Sequence, residues 1–162
     1  MKRLPVAIIL IAASFIGLML ACGSPTQLVT KNLREEDINR FFQETSVHLA
    51  GEDWSFLYQQ VDLQKHLIRI SGALQPQNQP DVPGALNLRL SVEDGKLKSE
   101  ILSADFGEVV PEQTTLNLLN QQIQKVFSDA ISEGKQGVQF IAIDMLEDLL
   151  KVQLRFLPPQ QN

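Results

Sequence analysis

A single cysteine, Cys22, stands in the 162 residues, so no disulfide can brace the fold from within the chain. Histidine is almost as scarce. His48 and His66 are the two present, and neither has a cysteine or a second histidine at metal-ligand spacing. They read as solvated surface side chains, so no metal and no cofactor is expected. A G-x-S-x-G elbow, a P-loop, a G-x-G-x-x-G turn and an H-E-x-x-H helix are all missing. The acid pairs Glu35/Glu36, Glu52/Asp53 and Glu147/Asp148 fall at a helix start or in loops, where capping and solubility account for them. No set of titratable residues converges, so catalysis is not expected. Basic excess is lacking as well: 14 Lys and Arg face 19 Asp and Glu, a net charge of −5. By overall charge, nucleic acid and anionic lipid headgroups are therefore both poor partners. No apolar run reaches the roughly 20 residues that span a bilayer.

What is present begins at the N-terminus. Lys2 and Arg3 precede an apolar run over residues 6–21 that ends in Met19-Leu20-Ala21-Cys22-Gly23. A charged start followed by a short apolar stretch is a secretory pattern. The segment around the cysteine resembles the bacterial lipoprotein signal, in which a small residue precedes an obligatory cysteine. That resemblance implies a diacylglyceryl group on the Cys22 sulfur and cleavage before it. It also implies a mature protein anchored on the non-cytoplasmic side of the cell membrane or outer membrane. The other readings are a plain secretory peptide with a chance cysteine, or an uncleaved anchor helix. Without Lys2 and Arg3 the balance is 12 basic against 19 acidic residues, or −7.

Residues 1–21 thus read as signal and 22–31, "CGSPTQLVTK", as acylated cysteine and tether. A single α+β domain is expected over 32–157, with a polar tail at 158–162. Asn32 and Glu35 have capping-box spacing, and Ile38, Phe41, Phe42 and Thr45 follow at helical intervals. Val47 and Leu49 extend that helix towards Gly51. Period-two alternation marks strands at 56–64, 65–74, 85–92, 96–106, 137–145 and 149–157. The run "ALNLRLSV" (85–92) alternates without exception. Asp94-Gly95 predicts a tight hairpin between 85–92 and 96–106. The three prolines of "QPQNQPDVPG" (75–84) read as an exposed loop. A second amphipathic helix spans 112–132, with Leu116, Leu119, Ile123, Val126, Phe127 and Ala130 as its stripe. The order is α-β-β-β-β-α-β-β: a curved antiparallel sheet with both helices packed on one apolar face.

"VDLQKHLIRI" (61–70) aligns with "IDMLEDLLKV" (143–152) at an offset of 82, and Ile38-Asn39 and Phe42 align with Leu119-Asn120 and Ile123 at 81. Chance likeness of apolar pattern and a true repeat both fit. Asp62 and Asp144 interrupt matching strands and are expected to face water. Trp54, Phe56 and Tyr58 are expected at the edge of the core. The pieces "V-D-L…L-I-R-I-S-G", "V-E-D-G-K-L", "G-E-V-V-P" and "L-L-N-Q-Q-I" resemble bacterial envelope proteins related to the tubular lipid-binding (TULIP-like) superfamily. The resemblance implies helices in the hollow of a strongly curved antiparallel sheet and, in several members, a lipid held between them. Two functions follow. A lipid or other hydrophobic ligand lies between helices and sheet, lined by Phe41, Phe42, Ile70, Leu88, Ile123 and Phe127. Alternatively the core is fully packed, and the domain is a scaffold or interaction module. A cavity of roughly 300 Å³ or more along those side chains separates the two.

Overall fold

Alternating leucines and isoleucines fold as long antiparallel strands, because such a strand can bury one face and wet the other. The computed structural model describes residues 27–44 and 49–157. Its elements are β1 (Gln27–Arg34), α1 (Glu35–Glu44), β2 (Leu49–Ala50), β3 (Trp54–Gln64), β4 (Leu67–Pro76), β5 (Val82–Glu93), β6 (Lys96–Asp105), α2 (Gln113–Ser132), β7 (Val138–Leu146) and β8 (Leu149–Phe156). Over the described residues the fold is α+β, a curled antiparallel sheet with two helices, and the order of its main elements is the expected one. One part of the sheet has strand order β1-β8-β7 and the other β2-β3-β4-β5-β6. The parts meet where Phe140 N donates to Gly95 O at 2.9 Å.

Both helices cover the same face. Ile38 and Phe42 of α1, and Leu119, Ile123, Phe127 and Ile131 of α2, are buried in one core with Val61, Leu63, Ile68, Ile70, Leu86, Leu88, Leu90, Val152 and Leu154. Each helix has one apolar stripe and the sheet one apolar face, so a single shared core buries all three.

Four local expectations shift. Residues 27–31, read as tether, are strand: β1 pairs with β8 from Gln27↔Phe156 to Arg34↔Leu149. Its half-exposed "QLVTKNLR" shows little alternation, and only its partner reveals it as a strand. Asn32 therefore faces Lys151 in the sheet rather than capping a helix. The cap comes later, where Arg34 N donates to Asp37 Oδ2 at 3.2 Å, three residues on in the manner of a capping box. Leu49, read as helix, pairs with Phe56 in β2. Finally, strand enters the proline segment from both sides, with Pro76 opposite Trp54 and Pro83 opposite Ala73. Each proline tolerates this because the sheet is one-sided there: β5 leaves β4 before Pro76, and β6 leaves β5 before Pro83. Thr45, Val47 and His48 lie outside the described residues, as do 158–162.

The internal repeat is structural. β3 carries a bulge between Tyr58 and Gln60, and β7 carries one between Phe140 and Ala142, 82 positions on in each case. The β3–β4 turn places His66 at φ 65°, and the β7–β8 turn places Asp148 at φ 60°, again 82 apart. The two turns then bond reciprocally. His66 N donates to Met145 O at 3.2 Å, and Asp148 N donates to Leu63 O at 3.1 Å; exchanging the two repeats converts one bond into the other. Asp62 faces Arg69, and Asp144 faces Lys151, at corresponding places.

The Asp94-Gly95 turn is the expected one. Asp94 has φ 50° and Gly95 φ 73°, the two positive angles of a type I′ hairpin. A Cβ on Gly95 would also sit 2.6 Å from Gln139 Cγ. Gly95→Val therefore meets strain twice, and we expect a loss of at least ~1 kcal/mol in urea unfolding. An unchanged midpoint would refute this account of the turn.

Candidate functional site

Three regions were candidates: the space between helices and sheet, the sheet edges, and the surface concavities. The first holds the six residues nominated as ligand-lining. Phe42 is 1% exposed, and Ile70, Leu88, Ile123 and Phe127 are 0% exposed. Phe42 packs edge-on against Phe127 with centroids 5.5 Å apart, and the tilted ring of Tyr58 lies 4.9 Å from that of Phe42. Aromatic pairs at such distances are favourable contacts in their own right. These side chains meet one another in a continuous core. Phe41 is partly buried at its margin. Phe41 and Phe127 border a groove of about 200 Å³ that also touches Asp37, Arg40, Ala130 and Ile131. That is below the usual size of a small-molecule site, and its mouth carries charge.

The sheet edges are closed by asparagines that the repeat had matched. β2 covers β3 only at Ser55 and Phe56, which leaves the backbone of Val61 open. Asn39 fills the gap. Its Nδ2 donates to Val61 O at 2.8 Å and its Oδ1 accepts from Val61 N at 2.8 Å. The Tyr58 hydroxyl also donates to Asn39 Oδ1, and burial raises the Tyr58 phenol above its ordinary 10.0. On the free edge of β6, Asn120 Nδ2 donates to Ser99 O at 2.9 Å. Gln124 Oε1 accepts from Ser99 N at 3.3 Å, and the Ser99 hydroxyl donates to Asn120 Oδ1 at 2.8 Å. Both helices thus mask exposed strand backbone that could otherwise pair with another chain. Asn39→Ala should cost about 1–3 kcal/mol, because Val61 N and O lose their partner while part-buried. Chemical denaturation checks this; a change within error would mean that water replaces the amide.

Among the surface concavities, a cleft of about 460 Å³ with a mixed, partly apolar lining lies between β3 and the start of α2. Trp54, Leu74, Pro76, Val109, Pro111 and Leu118 line it, with Glu52, Asp53 and Glu112 beside them. Of the aromatic trio, Phe56 lies in the core at 1% exposure, packed on Phe106 at 5.9 Å, and Trp54 and Tyr58 sit at the core margin.

His66 is exposed in its turn. Asp62 is half-buried and accepts from Gln64 Nε2, and Asp144 is exposed. Among the described residues no three His, Cys, Asp or Glu side chains gather as a metal would require. Cys22 lies outside the described residues. Among those described, no helix is long and apolar enough to cross a membrane. Against known proteins, the chain matches no family model, no curated protein and no solved structure.

One ion cluster ties the start of the domain to its second helix. Lys31 Nζ, from β1, donates to Ile131 O at 2.7 Å and pairs with Glu133 at 2.6 Å. Glu133 also pairs with Lys135 at 2.7 Å. The hydrogen bonds from Lys135 and Lys31 lower the Glu133 carboxyl from 4.5 to about 2. A carboxyl depressed on folding contributes stability above its unfolded value and loses it as pH falls through the folded one. The Glu133 side chain is 56% exposed, so salt screens much of the effect. The stability gap between wild type and Glu133→Gln should therefore narrow between about pH 4.5 and 2, and narrow at any pH in high salt. A gap independent of pH and salt would contradict the pairing.

Proposed function

We propose that this chain is an exported lipoprotein, held on a bilayer through acylated Cys22, whose domain works through its surface as a non-enzymatic scaffold or interaction module. The observation that carries the reading is the filled interior. Phe42, Ile70, Leu88, Ile123 and Phe127, the side chains a ligand would have to displace, pack on one another at 0–1% exposure. Protein interiors packed in this way hold few voids larger than a water molecule. The anchoring half rests on the charge, apolar run and small-residue context around Cys22. Two or three acyl chains, at about 0.8 kcal/mol per buried CH₂, hold such a domain firmly.

A second reading has its own support. The cleft at Trp54 and Leu118, at about 460 Å³, falls in the size range of small-ligand sites. A lipid or other apolar ligand would then lie at the margin of the fold, not between helices and sheet as the TULIP-like resemblance implies.

Uptake of a fluorescent fatty acid by residues 23–162, with mass spectrometry of co-purified lipids, separates the readings. The interaction module takes up no probe and carries no lipid. Saturable uptake abolished by Leu118→Asp supports the cleft, and uptake indifferent to that change overturns the filled interior. Anchoring has a separate check. Cys22→Ser should leave the membrane fraction or keep its signal uncut; processing and membrane retention like wild type would refute acylation.

A further inference from the structure

We infer that the end of the domain bearing Leu28, Phe156, Leu157 and Lys135 rests on the lipid headgroups of the bilayer that holds the anchor. The inference rests on the proposed acylation of Cys22. The tether cannot be the whole of residues 22–31, since strand begins at Gln27. Five Cα steps separate Cys22 from Gln27, and a fully extended chain covers them in at most about 18 Å. Each headgroup layer takes up roughly 5–8 Å of that. Gln27 therefore stays within about 10–13 Å of the membrane surface, whichever way the domain turns.

Gln27 lies at one rim of its sheet. It pairs with Phe156, and Phe156 pairs with Val138. Leu157 continues the rim, its N donating to Gly137 O at 2.8 Å. This rim is apolar and cationic where a headgroup layer would meet it. Leu28 is 58% exposed and Leu157 48%. Lys135 Nζ lies 5.9 Å from the centre of the Phe156 ring, an apolar surface beside a positive charge, which suits the membrane interface. Arg155 is exposed beside Leu28. Glu133, an acid at this end, is held by Lys31 and Lys135. The hairpin tip near Phe140 adds Glu93 and Asp94 but also Lys96 and Lys98.

The opposite end of the same sheet, about 24 Å away at strand rise, has the reverse character. Glu35, Glu36, Asp37, Glu147 and Asp148 cluster there beside Arg34 and Lys65. An anionic bilayer attracts the first end and repels the second. The acid end and the reciprocal turns then face away from the membrane.

The test places an environment-sensitive fluorophore on the full acylated chain, in vesicles of phosphatidylethanolamine and phosphatidylglycerol containing headgroup-nitroxide lipid. In the mature chain the Cys22 sulfur is alkylated and takes no label. Leu157→Cys and Leu28→Cys are near-end probes and Glu147→Cys is the far-end probe; all three positions are exposed, so labelling leaves the core intact. Quenching should be several-fold greater at 157 and 28 than at 147. Equal quenching, or more at 147, on a chain whose N-terminal peptide carries the acyl mass overturns the orientation alone. An N-terminal peptide without acyl mass overturns the anchor and the orientation with it.

Discussion

Phe42 and Phe127 meet edge to face in the buried core, and much else depends on that contact. A strongly curled sheet leaves a hollow on its apolar face, and something must fill it. Here the filling is the chain's own: α1 brings Ile38 and Phe42, and α2 brings Leu119, Ile123, Phe127 and Ile131. The two helices share the hollow, so neither can lift without exposing the other's stripe. A site between helices and sheet would have to be made by unpacking these side chains. Removing a buried Leu, Ile or Phe side chain typically costs about 2–5 kcal/mol. This is the physical ground for the proposal that the domain works through its surface.

Filling the hollow creates a second problem, because helices lying inside a curl cannot lengthen its sheet. The edges of β3 and β6 stay open, and each helix supplies an asparagine to close one. A side-chain amide carries both a donor and an acceptor, so it can stand in for a neighbouring strand at one residue. Asn39 does so at Val61, whereas at Ser99 the task is shared, Asn120 donating to the carbonyl and Gln124 accepting from the N–H. The third closure is the pair of turns at His66 and Asp148, whose reciprocal bonds bring the β3–β4 hairpin against the β7–β8 hairpin. The domain thus contains two similar helix–hairpin units, with the β5–β6 hairpin between them and β1 paired to β8 of the second.

The long strands were legible because their apolar side chains alternate. Leu86, Leu88 and Leu90 can only point one way, and the sheet follows. Asp94-Gly95 was legible because few other pairs accept two positive φ angles. The offset linking Asn39 with Asn120 was also visible, but not what the amides do, since Val61 and Ser99 become open edges only once strand order is known. β1 was hidden because its side chains sit on a half-exposed strand whose hydrogen bonds come from a partner more than 100 residues away. Of the six residues nominated as ligand-lining, Phe42, Ile70, Leu88, Ile123 and Phe127 lie in the core and Phe41 sits at its margin. Whether inward meant cavity or core depended on how two helices shared one hollow, and apolar periodicity is the same in either case.

Methyl NMR of the wild-type domain under xenon reports whether this hollow is full. Xenon enters dry apolar cavities that water and polar probes do not. The methyl resonances of Ile70, Leu88 and Ile123 should show only the weak, linear shifts of non-specific contact as xenon is added. A saturable shift shared by these three would reveal a pre-formed internal cavity and contradict the account.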